Sequence, residues 1–467
     1  MTIVIRGGTV VSSTGTHPAD VLVDGERIVA LAAPDAPLTD IWVQYADTVI
    51  DATGKYVVPG GIDVHTHMEM PFGGTHSIDT FATGTVAAAW GGTTTIIDFA
   101  VQPKGQSLLA TLDRWHEKAD GNCAIDYGFH MILSDVNEST LKEMDACVAA
   151  GVNSFKMFMA YPGVFYATDG EILLAMQRAA DNGSLIMMHA ENGIAIDQLV
   201  AQALAKGQTD PVYHGLTRPA ELEGEATHRA AVLAKVTGAP LYIVHLSSAP
   251  ALEAVRDARD AGQNVFAETC PQYLYLSLDD LAKPDFEGAK YVCSPPLRPA
   301  EHQDSLWQGL RTNDLSVVST DHCPFCFKDQ KELGRGDFSK IPNGLPGVEH
   351  RMDLIHQGVV SGELSLARWV EVTSTTPARM FGLYPRKGVI APGSDADIVV
   401  YDPTATQVLS AETHHMNVDY SAYEGMEITG RVETVLSRGR VIVDKGEFLG
   451  STGHGTFLER GPSQYLI

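Results

Sequence analysis

The sequence predicts an α/β fold in which a (β/α)8 barrel of the TIM type carries a small β-sandwich domain built from both chain ends. Eight short apolar runs alternate with helical stretches between residues 57 and 380, which is the pattern of a parallel barrel. The first fifty and the last eighty residues are instead rich in β-type residues. With 467 residues, the chain is long enough for a barrel and a smaller second domain.

The two chain ends are predicted to combine, because chain termini often lie close together. Asp24-Gly25 and Arg438-Gly439 are typical of turns between short strands. Strands are expected at residues 3–5, 21–23, 27–31, 396–401, 432–436 and 441–443. The predicted parts of the chain are a discontinuous β-rich domain, a barrel and a C-terminal tail, at residues 1–56 with 384–450, 57–383 and 451–467.

The barrel strands are predicted from the eight apolar runs. They are residues 61–64, 93–99, 125–133, 152–158, 184–189, 240–245, 264–268 and 315–320. Helices between them are expected at residues 171–182, 225–237 and 251–261, among others. Strands and helices therefore alternate along the chain, as a barrel of parallel strands requires.

The charge balance excludes several classes of partner. There are 33 Lys and Arg residues against 58 Asp and Glu residues, which gives a formal charge of −25. Nucleic acids and anionic membrane surfaces bind basic proteins, so neither is expected as a partner. The N-terminus lacks the pattern of a signal peptide, and no apolar run is long enough to cross a membrane. Together with six scattered cysteines, these features predict a cytoplasmic protein.

Potential metal ligands occur where predicted barrel strands end. His65 and His67 follow the first strand, and a spacing of two places both imidazoles on one face of an extended chain. His189 and His245 end the fifth and sixth strands, and Asp321 follows the eighth. Because the carboxyl ends of all barrel strands open on one mouth, these five residues predict a metal site there.

Lys156 ends the fourth predicted strand, beside this group of ligands. A lysine cation next to a metal site would be repelled, so the side chain either points away or loses its charge. A neutral amine reacts with CO2 to give a carbamate, which is an anionic oxygen ligand. Partial burial favours this reaction because burial lowers the pKa of a lysine.

Nine segments carry a recognisable pattern in chain order. They are VPGGIDVHTH at 58–67, GGTTT at 91–95, FKMFMAY at 155–161, HAEN at 189–192, CSPPLR at 293–298, TDHC at 320–323, IPNG at 341–344, FGLYPRKG at 381–388 and GSDAD at 393–397. With these segments the chain resembles the cyclic amidohydrolases, specifically the dihydropyrimidinase and D-hydantoinase family. The resemblance covers essentially the whole chain.

The resemblance implies a site with two divalent metal ions, usually zinc. The first ion would be held by His65, His67 and Asp321, and the second by His189 and His245. Carbamylated Lys156 and a hydroxide would bridge the two ions. Paired metals of this kind lower the pKa of the bridging water and polarise a substrate carbonyl.

The resemblance also implies roles for residues that do not bind metal. Asp321 would act as the general base as well as a ligand, and Tyr161 would stabilise the oxyanion that develops on the substrate. Ser294 and Asn343 match positions whose backbone groups read the cyclic imide or ureide. A gate around the ring substituent would be formed by Met68, Met70, Phe158 and Phe165.

The activity implied is hydrolysis of the cyclic amide bond of dihydropyrimidines (dihydrouracil, dihydrothymine) or of 5-substituted hydantoins, by the metal-bridging hydroxide, to N-carbamoyl amino acids. Activity on the dihydropyrimidines would place the enzyme in pyrimidine catabolism. Two alternatives stay open, an allantoinase-type ureide hydrolase and a non-catalytic relative that acts as an assembly protein. Dihydroorotase is disfavoured because Glu69 occupies the position of that enzyme's carboxylate-binding arginine.

The resemblance further implies a homo-oligomer, most often a tetramer. The C-terminal tail is polar but ends in several apolar side chains. Contacts with a neighbouring subunit are expected for Phe457, Tyr465, Leu466 and Ile467.

Overall fold

The structure is a computed structural model that describes residues 1–34 and 36–465. Its centre is an eight-stranded parallel barrel, which confirms the predicted fold class. The barrel strands are Gly61–Thr66, Thr93–Val101, Asp126–Ile132, Ser154–Phe158, Leu185–His189, Leu241–Ile243, Val265–Thr269 and Val317–Val318. Each strand pairs in parallel with the next one along the chain.

The barrel closes between its last and first strands through His322. The amide of His67 donates to the carbonyl of His322 at 2.9 Å, and the amide of His322 donates to the carbonyl of His65 at 3.3 Å. A parallel bridge between Thr66 and His322 completes this seam. The closure therefore runs through the segment that carries Asp321, and it fixes that residue beside the first strand.

Helices surround the barrel, and their ends follow from local sequence. Thr168 caps its helix through a reciprocal capping box with Glu171, and Gly183 ends that helix with a φ of 73°. The three helices expected at 171–182, 225–237 and 251–261 are present with slightly different bounds. The α-helices are Pro37–Tyr45, Phe81–Trp90, Leu108–Ala119, Glu138–Ala149, Asp169–Asn182, Gly193–Ala205, Val212–Leu216, Ala220–Thr237, Ala249–Asp260, Pro271–Tyr275, Leu278–Leu281, Glu301–Thr312, Arg351–Val360, Leu366–Val370 and Thr376–Met380.

Several shorter helical turns occur in the second half of the barrel. The 3-10 turns are Glu287–Tyr291, Lys331–Gly334 and Phe338–Lys340. Glu371–Thr375 forms a single π-helical turn. No helix in residues 1–34 and 36–465 has both the length and the apolar character needed to cross a membrane.

Strands from both chain ends combine, as the sequence predicts, and they do so in one nine-stranded sheet. They are Thr2–Ser12, Gly15–Asp24, Arg27–Ala32, Thr48–Asp51, Tyr56–Pro59, Ile398–Val408, Glu427–Ser437, Arg440–Asp444 and Glu447–Phe448. Tyr56–Pro59 joins the two halves, because it pairs with the first strand of the chain and with Ile398–Val408. Side chains of both halves enclose a separate small core that includes Ile5, Val21 and Ile398. A two-stranded hairpin, Pro71–Phe72 with Thr75–His76, lies outside both sheets.

A buried charge cluster ties the barrel to the terminal sheet. Lys387 Nζ lies 2.6 Å from Asp126 Oδ2 of the third barrel strand, and 2.5 Å from Asp397 Oδ2. Asp395 Oδ2 lies 3.0 Å from the same ammonium group. Arg438 adds a second cation, 3.1 Å from Asp126. The FGLYPRKG and GSDAD segments thus hold the two parts of the molecule together.

The C-terminal tail packs on the barrel of its own chain. The ring of Phe457 stacks on that of Phe129 with 5.5 Å between centroids. The hydroxyl of Tyr465 lies 2.8 Å from Asn313 Nδ2. Phe457 and Tyr465 therefore pack within their own chain and keep part of their surface exposed, and their expected role in subunit contacts stays a prediction. Leu466 and Ile467, to which the same expectation was attached, lie outside the described residues.

Candidate functional site

The structure brings the predicted ligands of the first metal ion together at the barrel mouth. His65 Nε2 lies 3.2 Å and His67 Nε2 lies 3.1 Å from the same oxygen, Oδ1 of Asp321. His65 and His67 extend from the first strand, and Asp321 follows the eighth. The barrel closure between those two strands is what places the three side chains side by side.

The other three predicted ligands lie directly beside this group. His189 Nδ1 is 3.0 Å from His245 Nε2, and Lys156 Nζ is 2.9 Å from His65 Nε2. The rings of His65 and His245 are 5.3 Å apart. Ligand atoms of His65, His245 and Asp321 all lie within 4.8 Å of one another. The two halves of the predicted site therefore form a single cluster, with Lys156 between them.

Backbone conformation turns several of these side chains into the site. Tyr161, His245 and Asp321 have φ values of 60°, 39° and 53°, in the left-handed region that non-glycine residues seldom adopt. Such conformations cost free energy and persist where the surrounding structure enforces them, which is common at functional sites. All three follow or end a barrel strand, where the chain must bend sharply.

Two buried glutamates that the sequence analysis did not select orient these histidines. Glu268 contacts Nδ1 of His65 through its carboxylate and accepts the amide of His245 at 3.1 Å. Glu191 Oε2 lies 2.8 Å from His189 Nε2. A carboxylate on the far nitrogen fixes the ring and its tautomer, as is usual for metal-binding histidines. Both glutamates were visible in the sequence, since Glu191 lies in HAEN and Glu268 ends a predicted strand.

Burial controls the charges of the cluster. It lowers the pKa of Lys156 to about 8 and places the pKa values of His65 and His245 well below the usual range. For Asp321 burial alone would raise the pKa, but the nearby His65 and a hydrogen bond from His67 outweigh it and lower the pKa to about 2. Burial thus favours the neutral forms of His65 and His245, and its surroundings keep Asp321 ionised, which are the forms that bind metal.

The donor set fits a pair of divalent cations. Four imidazoles and one carboxylate converge with a lysine, and all six residues are buried. In residues 1–34 and 36–465, Nδ1 of His67 and Nδ1 of His245 have no hydrogen-bond partner, although both atoms are buried. Imidazole nitrogen and carboxylate oxygen are ligands that zinc prefers. A buried set of this kind without its ions would leave several lone pairs uncompensated.

A narrow cavity opens over the cluster, and most of the predicted substrate-binding residues line it. Tyr161, Ser294 and Asn343 line it beside one another, and Asp321 lines it too. Asn343 Nδ2 donates to Ser294 Oγ at 3.1 Å. Burial raises the pKa of Tyr161 and outweighs the opposite effect of hydrogen bonds with Ser294 and Asn343, so its hydroxyl keeps its proton. The phenol is therefore available as a hydrogen-bond donor.

Three of the four predicted gate residues line the cavity, and Met68 does not. Met70, Phe158 and Phe165 face it. Met68 is fully buried and lies against Gly84 of the adjacent helix, because its side chain points into the barrel wall. Phe72 of the short hairpin completes the gate, and the sequence analysis did not select it. Its ring lies parallel to that of Phe165, with 6.4 Å between centroids.

The structure corrects one reason for disfavouring dihydroorotase. Glu69 does not line the cavity; its carboxylate accepts the amide of Phe81 at 3.3 Å and lies 3.9 Å from Lys118. Glu69 has a φ of 54°, and this turn directs it toward the helix that begins at Phe81. Repulsion of a substrate carboxylate by Glu69 is therefore wrong as an argument. The absence of a carboxylate-binding arginine at this position still disfavours a dihydroorotase.

Comparison with known proteins gives consistent results. The model of the amidohydrolase family matches residues 56–442. The chain is 68% identical over 463 residues to a D-hydantoinase of Streptomyces coelicolor, covering 99% of each chain. It is 50% identical over 462 residues to a D-hydantoinase of Geobacillus stearothermophilus, covering 98% of this chain and 97% of the relative.

A solved structure extends this similarity to three dimensions. The crystal structure of a dihydropyrimidinase from Brevibacillus agri NCHU1002 superimposes with a TM-score of 0.96 at 52% sequence identity. The superposition covers 99% of each chain. Both the barrel and the terminal sheet are therefore shared with that protein.

Proposed function

Because this chain belongs to the amidohydrolase family, we propose that it opens the rings of 5-substituted hydantoins and dihydropyrimidines to give N-carbamoyl amino acids. The chain is a cyclic amidohydrolase, as its near full-length similarity to hydantoinases indicates. The observation that carries the assignment is the single cluster of His65, His67, His189, His245 and Asp321 beneath the cavity. These relatives favour the hydantoinase reading over an allantoinase or a non-catalytic homologue.

The residues of the cluster would hold two metal ions as the sequence analysis expects, with His65, His67 and Asp321 on one ion and His189 and His245 on the other. Lys156, as its carbamate, would be shared between them. Such ions act as Lewis acids on the scissile carbonyl and lower the pKa of a bound water. Zinc is our choice of metal, since imidazole-rich sites with a carboxylate suit it.

Asp321 supplies the base in this mechanism. Its carboxylate takes a proton from the attacking water as the carbonyl carbon becomes tetrahedral, and passes that proton to the amide nitrogen that leaves. Tyr161 lines the same cavity and donates a hydrogen bond from its hydroxyl to the oxygen that gains negative charge. Ring opening then needs no covalent intermediate with the protein.

Ser294 and Asn343 would bind the –CO–NH–CO– edge that hydantoins and dihydropyrimidines share, through their backbone groups. Both residues line the cavity next to Tyr161. Since the two ring types present the same edge, one site can accept both. Phe72, Phe158 and Phe165 form an aromatic wall, which favours hydantoins with a bulky apolar substituent.

Three further properties belong to this proposal. A homotetramer is expected, and light scattering at micromolar concentration tests it, with a monomer as the contrary result. A cytoplasmic location follows from reduced cysteines and from the substrates. All six cysteines are free, and five of them are buried. A role in pyrimidine catabolism requires that dihydrouracil be opened at a rate comparable with the best hydantoin.

The test is a paired measurement on one purified sample. Metal ions per chain are quantified, and ring opening of dihydrouracil, D- and L-5-substituted hydantoins and allantoin is followed before and after chelation. Two metals per chain and chelator-sensitive opening of hydantoins or dihydrouracil support the proposal. Opening of allantoin alone, or two bound metals with no ring opened, contradicts the substrate class.

A further inference from the structure

Lys331 is a buried lysine beside the substrate-binding wall that the proposed mechanism does not use. It begins the short 3-10 turn Lys331–Gly334 and its side chain is fully buried. Its ammonium group donates to three backbone carbonyls, those of Val292 at 2.8 Å, Pro342 at 2.7 Å and Gly344 at 2.8 Å. An ammonium group has three donors, so these carbonyls use all of them.

The three carbonyls belong to two separate segments, residues 292–294 and 342–344. Ser294 and Asn343 lie within these segments, and both line the cavity. The segments also contact each other directly, since the amide of Gly344 donates to the carbonyl of Val292 at 3.0 Å. Lys331 therefore lies behind the wall that would bind the ring and joins its two halves.

The burial of this amine is costly, which argues that its contacts matter. Burial lowers the pKa of Lys331 to about 7, and the neighbouring groups that oppose this are the thiols of Cys293 and Cys323 rather than carboxylates. Lys387, the comparable buried lysine, is surrounded by aspartates instead. An ammonium held only by carbonyls gains nothing from ion pairing, so its contribution is to fix where those carbonyls lie.

We propose that Lys331 is a positioning residue for substrate binding, which holds the 292–294 and 342–344 segments in the register that presents Ser294 and Asn343 to the ring. The inference rests on the proposed function, because it takes those two residues as the ring-binding pair. Lys331 touches neither substrate nor metal ligands in this scheme. Its loss should therefore weaken ring binding while leaving the chemical step largely intact.

The test compares the holoenzyme with Lys331→Met and Lys331→Gln. Lys331→Met keeps the length and removes every donor, so KM for the best ring substrate should rise about tenfold while kcat changes less than about threefold. Metal content per chain should equal that of the unsubstituted enzyme. Lys331→Gln keeps two N–H donors, and its KM should lie between that of the unsubstituted enzyme and that of Lys331→Met.

Hydrogen exchange without substrate provides a second readout that does not depend on activity. Lys331→Met should exchange faster in peptides that cover residues 292–297 and 341–346, and normally in the barrel strands. The matched control is Lys387→Met, which should lower thermal stability without a change in KM. If the unsubstituted enzyme opens no ring, yet Lys331→Met shows this local exchange, the proposed function fails and the positioning of the segments stands.

Three results would overturn the inference. One is an unchanged KM in Lys331→Met. The second is a parallel loss of kcat, metal content and global exchange protection, which would mark a purely structural role. The third is failure of both Lys331→Met and Lys331→Gln to fold. If the role of Lys331 is local, the partial replacement of its donors in Lys331→Gln should preserve the fold.

Discussion

Glu191 and His189 form a buried pair in which Oε2 of the glutamate lies 2.8 Å from Nε2 of the imidazole. The other ring nitrogen, Nδ1, faces His245 Nε2 at 3.0 Å. Desolvation by burial raises the pKa of Glu191, but the hydrogen bond with His189 and the nearby positive charges outweigh it, so the pKa is lowered. Glu191 thus determines which nitrogen of His189 is free to bind a metal ion.

Replacement of Glu191 by glutamine should weaken metal binding. The amide preserves shape but removes the charge that fixes the ring, and changes of this kind cost about 10- to 100-fold in metal affinity or activity. Metal content after dialysis against a graded chelator series measures the effect. Glu225→Gln is the matched control, because that glutamate is exposed and bonds to the neighbouring Asn192. Equal metal retention in both variants would contradict the orienting role.

Removal of the Lys156 side chain should abolish ring opening. Lys156→Ala deletes the proposed carbamate, and loss of several kcal/mol of metal-assisted stabilisation lowers kcat by more than about 100-fold. A short carboxylate such as acetate should restore part of the rate, since it can fill the vacated space with an anionic oxygen ligand. Lys156→Arg fills that space with a cation and should not respond. Carbon-13 NMR after growth with labelled bicarbonate should show the carbamate only in the unsubstituted enzyme.

The hydroxyl of Tyr161 should matter for rate more than for binding. Tyr161→Phe removes the donor to the developing oxyanion, and loss of such a donor costs about 10²- to 10³-fold in kcat. Metal content should not change, because Tyr161 is not among the proposed ligands. Tyr166→Phe serves as the control for removal of a nearby phenol. A KM effect without a kcat effect in Tyr161→Phe would assign the residue to ground-state binding instead.

The sequence predicted what depends on periodicity and on strand ends. Alternating β- and α-type segments predicted the barrel, and the spacing of His65 and His67 predicted a shared face. Side-chain direction was harder to predict. Met68 and Met70 differ by two positions, yet only Met70 lines the cavity, because the bend after the first strand ends the alternation that would place both on one side.

The sequence predicted which strand ends meet at the barrel mouth, but not the individual side-chain contacts that support the site. Glu268 was recognised only as the end of a strand, and its contact with His65 depends on the closed barrel. Lys331 lies in a segment without regular pattern, and its three carbonyl partners lie 11, 13 and 39 positions away along the chain. Such partners follow from tertiary packing, which one sequence does not encode in any local pattern.

The buried lysine that joins the barrel to the terminal sheet should be a main determinant of stability. Lys387→Met leaves the carboxylates of Asp126, Asp395 and Asp397 buried together with less positive charge, and breaking a buried ion pair in this way costs about 3–5 kcal/mol of unfolding free energy. Denaturant unfolding measures it. Lys142→Met removes an exposed ion pair and should cost less than about 0.5 kcal/mol. Similar values for the two variants would show that the cluster is solvated.

Asp353 should make the protein less stable as the pH rises. Burial raises its pKa from 3.8 to about 7, so between these values the folded state binds a proton that the unfolded state has released. The free energy of unfolding therefore falls from about pH 4 to about pH 7 and stays at its lower value above that.

The variant Asp353→Asn tests this pH dependence. Oδ2 of Asp353 accepts a hydrogen bond from Gln407 at 2.8 Å, which an asparagine oxygen can also accept. Asp353→Asn should consequently match the unsubstituted protein at pH 4 and exceed its unfolding free energy by a few kcal/mol at pH 8. Asp113→Asn, at an exposed helix position, should show no such divergence. Parallel stability curves for Asp353→Asn and the unsubstituted protein from pH 4 to pH 8 would mean that Asp353 ionises freely in the folded state.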